Sequence, residues 1–389
     1  MLDWLIIGGG IHGTHLAHVF LQRGGVPGDR LAILDPHATL LAHWSRLTAA
    51  VEMDYLRSPN VHHIGLNPDD LDRYAHSPQG SYLRSYRDPY HRPGYLLFQA
   101  HANHVIQTHR LYERLIQGQA RGLTRRRDGW WVETEQGVLA ARRVLLAIGR
   151  TTTAWPTWAR HLQAQGATVY HCFDPDFGRG VLSTWRHAVV VGGGITAAQL
   201  ALALAHRQSG MVTLLSRHPL RRAHFDSPSC WNGPKCMTKF AHTRDYRKRR
   251  ALILEARQRG TMPNDVGRSL DAWFETGAIQ LMMGEVIAAV RLSDGEVSLC
   301  LSDGRSLRSD CLVLATGFEQ TRPGKGWLDR VVDEHGLPTA PCGYPIVDKA
   351  LQWTTGLYVS GALAELELGP VAPNISGARR AAERLAIVS

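Results

Sequence analysis

Two glycine-rich turns, GGGIHG at 8–13 and GGGITA at 192–197, each lie between an apolar strand-like run and an apolar helix-like run. Each is followed by a β-meander pattern and by a strand closing in small residues, LAIG at 146–149 and LATG at 314–317. Together these observations predict an α/β protein of two Rossmann-like, three-layer (ββα) dinucleotide-binding units, the second inserted in the first. The expected division is 1–155 plus 310–389 for the first unit and 156–309 for the second. The last strand and helix have no partner unless the chain returns to the first unit.

The opening strand LDWLIIG runs into Gly8, Gly10, Ile11, His12 and Gly13, and an apolar helix follows over 14–22. LAIL then ends at Asp35. This order is the context in which a G-x-G-x-x-G pattern becomes a nucleotide site. Gly8 makes the tight turn, Gly10 lets the backbone approach a pyrophosphate, and Gly13 lets the helix pack on the strand. His12, His15 and His18 are expected to face cofactor phosphates or solvent. Residues 43–110 read as loop and mixed helix, 119–148 as a meander, and TTTAWPTW (151–158) as a crossing between units.

The pattern then repeats. A strand over His187–Val191 leads into Gly192, Gly194, Ile195, Thr196 and Ala197, with a helix to about Gln208. The strand VTLLS ends at Ser216, followed by Arg217. A second meander is expected over 278–307, with turns at Asp294-Gly295 and Asp303-Gly304. A buried strand at 311–318 and a final strand and helix from GLYVSGAL onward close the chain. The segment 223–275 is too irregular to assign and is the candidate place for substrate-shaping elements.

The two strand ends differ in a way that selects ligands. Asp35 accepts the hydroxyls of a free ribose and repels a 2′-phosphate. Ser216 and Arg217, with Arg221 and Arg222 nearby, suit a phosphate monoester instead. The first site is therefore expected to take FAD and the second NADPH.

Composition narrows the classes further. The longest apolar runs, such as VLLAI at 144–148, are strand-sized, so no membrane span is expected. MLDWLIIGGG carries Asp3 and no basic region, so a signal peptide is not expected and a cytoplasmic location is. A net charge of +10 fits scattered arginines or attraction of cofactor phosphates. No nucleic-acid module is recognisable. The run RDYRKRR (244–250) is expected to be a solvated helix face. The six cysteines form no C-x-x-C. Buried or free thiols are expected, including Cys230 and Cys236, the closest pair. No histidine pattern with an accompanying acid points to a metal.

The whole chain resembles the two-dinucleotide-fold flavoproteins, and within them the class B flavin monooxygenases. The resemblance rests on GGGIHG, GGGITA, LATGF at 314–318 and the C-terminal GLYVSGA…GP…N. ATVYHCFD (167–174) is similar to the histidine-containing stretch before the NADPH unit, and HWSRLTAAVEMDYLRSP (43–59) to the flavin-lining region of lysine and ornithine N-hydroxylases. The C-terminal strand ends in Gly361-Ala362, where disulfide reductases carry Gly-Asp. The resemblance implies that NADPH reduces FAD, that O2 is captured at flavin C4a, and that a small molecule is oxygenated at N or S. The alternative is an NADPH-dependent flavin reductase that passes electrons to a small-molecule or protein acceptor without disulfide chemistry. By the same resemblance Trp44, Arg57, Gly149, Thr316, Gly317, Gly361, Ala362 and Ile375 join the cofactor-binding set. The resemblance further implies that the last helix points its N-terminus at the flavin pyrimidine edge, with Asn374 as the expected catalytic polar contact. Substrate and oligomeric state stay open.

Overall fold

The computed structural model describes residues 1–178, 185–207 and 210–386. Leu2–Ile7 pairs in parallel with Leu31–Asp35 on one side (Ile6 opposite Ile33) and Gly137–Leu146 on the other (Ile6 opposite Leu145). Leu115–Gln117 extends one edge and Leu357–Val359, with Gln352–Thr354, the other. Trp4, Leu5 and Ile6 are fully buried. An unbroken apolar run suits a parallel strand covered on both faces. The C-terminal strand does return, pairing Tyr358 with Leu145. Ala120–Arg126, Gly129–Thr134 and Gly137–Leu146 form the expected antiparallel meander. Helix Ile11–Gln22 packs against the last helix, Ile375–Leu385, which buries a small-residue face of Ser376, Gly377, Ala378, Ala381 and Ala382.

The second sheet is wholly parallel, in the order 279–283, 211–216, 187–191, 311–314, 169–171. Two sequence expectations are corrected here. Cys311–Leu314, assigned to the first unit, sits in the middle of the second sheet, between His187–Val191 and Val169–His171. Ile279–Met283, read as the start of the second meander, is a parallel edge strand beside Met211–Ser216. The meander itself is Val286–Arg291, Val297–Leu301 and Ser306–Ser309. Its turns at Gly295 and Gly304 are as expected, with φ of 88° and 85°. Short apolar strands carry no local sign of which sheet will pair them. The helix after the second glycine turn spans Ile195–His206, and its expected end at Gln208 lies outside the described residues.

The crossing is a pair of extended segments. Ala154 N donates to Gly317 O (2.9 Å), and Glu319 N donates to Thr152 O (2.9 Å). Outgoing and returning chain thus hold each other.

The segment 223–275 folds into helices Pro234–His242, Tyr246–Ala256 and Asn264–Glu275. Its apolar centre joins Trp231, Phe240 and Ile253 to Tyr344 and Leu366. Cys230 and Cys236 form a disulfide, contrary to the expectation of free thiols. A 3-10 turn over Ser229–Asn232 folds Cys230 back onto the first turn of the next helix. RDYRKRR is also corrected in part. Asp245 caps the helix through Arg247 N and Lys248 N, and Arg244, Arg247 and Lys248 are exposed. Arg249 and Arg250 turn inward to Glu367 and Glu365. They lie on the helix side that meets the C-terminal segment, where the buried Glu365 and the partly buried Glu367 accept them.

Candidate cofactor and active site

At the first glycine turn, backbone geometry dictates residue type. Gly8 has φ 112°, and a Cβ there would lie 2.6 Å from Ala147 O. A Cβ on Gly13 would overlap Gly8 O, so helix and strand touch through backbone alone. A Cβ on Gly10 would meet nothing within 4 Å. Gly10 is the N-cap of helix Ile11–Gln22, and no side chain caps that end. The first N–H groups therefore face open space along the helix dipole, a cradle shaped for a diphosphate. Asp35 Oδ2 accepts from Gly9 N (2.6 Å) and Oδ1 from His37 N (2.9 Å), so the carboxylate is fixed at the strand end beside the turn. Ile11, the first residue of that helix, is buried.

The three histidines of this helix are all buried, which corrects the expectation of phosphate-facing or solvent-facing rings. His12 lies between Ser360 Oγ (2.8 Å from Nδ1) and Asn374 O (3.0 Å from Nε2). Burial lowers its pKa to about 4, so it is neutral at pH 7. A carbonyl only accepts, so Nε2 carries the proton and Nδ1 accepts from Ser360. His12 thereby pins the first helix to the C-terminal strand end and the last helix. His15 and His18 both approach Ile64 O, and burial holds them near pKa 3 and 4. Gly361 turns at φ 65°, and a Cβ on it would lie 3.7 Å from His12. Ala362 is buried beside it.

Asn374 is the N-cap of the last helix, yet its side chain does not cap it. Its Nδ2 donates instead to Asp226 Oδ1 (3.1 Å). Ile375 starts the helix half-buried, and the helix N–H groups stay open to an acceptor. Arg57 donates from Nε and Nη2 to the carbonyls of Ala223, His224 and Phe225 and to Thr261 Oγ1. It clamps the 223–261 segment; burial lowers its pKa, opposed by Asp226. Trp44 packs on Phe98 and Tyr95 at the edge of the first core. Asp226 and the clamp were not visible in the sequence, since their partners lie far away along the chain.

The second turn follows the first with one difference. Gly192 has φ 156°, a Cβ there would lie 2.6 Å from Ala315 O, and Ala197 is buried where Gly13 stands in the first. Ile195 and Thr196 are half-buried at the helix start, and Gly194 is its N-cap, again without a side-chain cap. Here a loop lies over the turn: Gly260 Cα would be 3.3 Å from a Cβ on Gly194. His218, unmarked by the sequence reading, sits against this loop and lies 3.3 Å from Arg221 Nη2. Ser216 is corrected as a direct phosphate ligand. It is 1% exposed, and its Oγ donates to His218 O (2.7 Å), so it shapes the turn that presents Arg217. Arg217 is exposed, while Arg222 pairs with Asp271.

The strand ends LAIG and LATG lead into the crossing. Gly149 is exposed and a Cβ on it would meet nothing within 4 Å; Gly317 turns at φ 80°. Thr316 Oγ1 donates to Ala154 O (2.5 Å). His171 is buried beneath this crossing, and Phe173 stacks on Phe318 at 5.1 Å. Among the described residues no group of three or more His, Cys, Asp or Glu is arranged to hold a metal, and no helix is long and apolar enough to cross a membrane.

Two sheets, each with a parallel core, a tight glycine turn and a helix end open to an anion, define an oxidoreductase scaffold with two nucleotide sites. The family model described as pyridine nucleotide-disulphide oxidoreductase matches residues 2–382, and the chain belongs to that family. Solved structures similar to it include a Kutzneria ornithine N-hydroxylase with reduced FAD, NADP+ and L-ornithine (TM-score 0.77, 16% identity, 100% of this chain and 98% of that one). L-lysine 6-monooxygenase from Pseudomonas syringae matches with TM-score 0.75 and 18% identity over 100% and 99% of the two chains. The FAD-bound cadaverine monooxygenase of Erwinia amylovora matches with TM-score 0.75 and 16% identity over 99% and 93%.

Proposed function

We propose that this chain is an NADPH-dependent, FAD-containing monooxygenase that oxygenates a small molecule at a nitrogen or sulfur, with an amine nitrogen favoured. The contrast between Asp35 and Arg217 at the ends of two otherwise matching nucleotide turns carries the reading. Similarity in fold to amine N-hydroxylases over the whole chain supports it. The first sheet and its returning C-terminal strand form the flavin unit. The second sheet, which includes Cys311–Leu314, forms the NADPH unit. The reading includes O2 as co-substrate and a cytoplasmic location.

When bound, FAD would supply the redox chemistry between NADPH and O2. The chain positions it. Gly8, Gly10 and Gly13 with the open N–H groups of the first helix hold the diphosphate, and Asp35 holds the ribose. Gly361, Ala362 and the N-terminus of Ile375–Leu385 would line the ring system, where the helix end would favour negative charge. Gly192–Ala197 hold the second diphosphate, and Arg217 reads the 2′-phosphate. Asn374, fixed by Asp226 and by His12, offers its polar group at that helix end. Arg57 holds the 223–261 segment to the first unit through Ala223, His224, Phe225 and Thr261.

The test is stoichiometric. FAD-loaded protein is supplied with NADPH and O2 and a panel of primary amines and thioethers, and oxygenated product is counted against NADPH consumed. Near-equal amounts with one substrate class support the reading. NADPH consumption that yields only reduced external acceptor, with no oxygenated product, selects the flavin-reductase alternative.

A further inference from the structure

Three guanidinium groups converge on one carboxylate at the carboxyl edge of the first sheet, and a fourth stands in their field. Glu365 is fully buried in the short helix that follows the Gly361–Ala364 turn. Its Oε1 accepts from Arg250 and its Oε2 from Arg257, and Arg150 Nη2 stands 3.4 Å from Oε2. These arginine side chains are 14%, 10% and 16% exposed. Arg259 shares the field: burial, then the charges of Arg257, Arg150 and Arg250, lower its pKa. Tyr344 flanks the group, its hydroxyl 3.0 Å from Arg150 Nη2 and its ring 4.5 Å from Arg250. By contrast Arg249 and Glu367 form a balanced pair nearby.

One carboxylate leaves this cluster strongly positive. Buried charge without a counter-charge is costly, as is a buried donor without an acceptor. Arg257 Nη1 and Arg150 Nε are such donors, buried and without a partner. Arg257 is nine-tenths buried, so bulk water does not complete it. A second anion would reduce the excess positive charge and give the unpartnered donors an acceptor.

Its place is informative. Arg150 directly follows LAIG, and Arg259 donates to Gln320, just past LATGF (2.7 Å). The cluster thus stands at the carboxyl ends of strands from both sheets, where open α/β folds take ligands. Glu365 lies four residues beyond Gly361 of the proposed flavin site.

We infer that Arg150 and Arg257, oriented by Glu365, bind the carboxylate of the small molecule on which the enzyme acts. The planar guanidinium fork matches a carboxylate in geometry and charge. The substrate class is then an amine that also carries an acid group; this last step rests on the monooxygenase reading, while the anion site does not. Glu365 is a positioning residue.

The test measures binding, apart from turnover. Acetate and its neutral counterpart acetamide are titrated calorimetrically into FAD-loaded protein, with and without NADP+. Wild type is expected to bind acetate saturably and acetamide not at all. Arg257→Gln should weaken acetate about 10- to 100-fold. Arg150→Gln, in the most exposed of the three side chains, should do the same and serves if the first variant fails to fold. FAD content and circular dichroism report folding. L-Lysine should bind more tightly than cadaverine, which differs only by the carboxylate, and Arg257→Gln should erase the difference. Unchanged acetate affinity in both variants overturns the site. Loss of acetate binding on adding NADP+ assigns the arginines to a nucleotide phosphate and overturns it too. Equal affinity for lysine and cadaverine overturns the substrate assignment. If acetate and lysine bind as expected but no oxygenated amine forms, the anion site stands and the monooxygenase reading falls.

Discussion

Gly10 and Gly13 lie three residues apart in one turn, and the structure gives them opposite tolerances for a methyl group. Gly10 has φ −74° and ψ −168°, an extended conformation that alanine adopts freely. A Cβ there touches no protein atom within 4 Å. Gly10→Ala gains about 0.4–1 kcal/mol by restricting the unfolded chain. Alanine is a poorer N-cap than glycine, at a cost of about 0.5–1 kcal/mol. The two terms offset, so the apoprotein should melt within about 2 °C of wild type. The same methyl projects into the open space proposed to take the diphosphate at the helix N-terminus. Losing one charge-assisted N–H contact, about 1.5–3 kcal/mol, should weaken FAD about ten- to a hundredfold. Gly13→Ala instead drives a methyl into Gly8 O and should destabilise the apoprotein itself by about 2 kcal/mol or more. Thermal unfolding of the apoproteins and FAD titration by flavin fluorescence separate the two. An unchanged FAD affinity in folded Gly10→Ala would refute the placement of the diphosphate.

Arg217→Ala should raise KM for NADPH about tenfold or more and leave NADH nearly untouched; steady-state kinetics with both cofactors check this, and equal losses would show that Arg217 does not read the phosphate. Burial lowers His12, His18, His62 and His63 to about pKa 4 and His15 and His101 to about 3, against 6.5 unfolded. The unfolded chain thus binds more protons below pH 6.5. Stability is fully present above that value and should fall as pH drops toward 4. Urea unfolding across this range should show that fall, and His15→Gln should make it shallower by up to one proton. Removing the Cys230–Cys236 disulfide as the Cys230→Ser, Cys236→Ser double variant should cost about 2 kcal/mol by loop entropy, read in urea unfolding of otherwise intact protein.

The residues that were legible in advance act within a few positions of themselves. Gly8, Gly13 and Gly192 are dictated by backbone contacts inside one strand–turn–helix unit, and Asp35 and Arg217 by their place at a strand end. The hairpin glycines at 295 and 304 belong to the same class. The errors have a common origin. Cys311–Leu314 looks the same whichever sheet takes it, and Ile279–Met283 reads equally as a meander strand or a parallel edge. The burial of His15 depends on Ile64, 49 positions away, and that of Arg250 on Glu365, 115 positions away.

By itself, then, the amino-acid order determined the fold class, the two nucleotide turns and the opposite charge at their strand ends, because turn sterics and strand–helix periodicity are local. Only the tertiary structure decided which sheet each short strand joins, that Cys230 meets Cys236, that the helix-one histidines are neutral struts, and that Arg150, Arg250 and Arg257 share one buried carboxylate. Those outcomes depend on which distant surfaces meet, and pairwise proximity of that kind leaves no periodic trace along the chain.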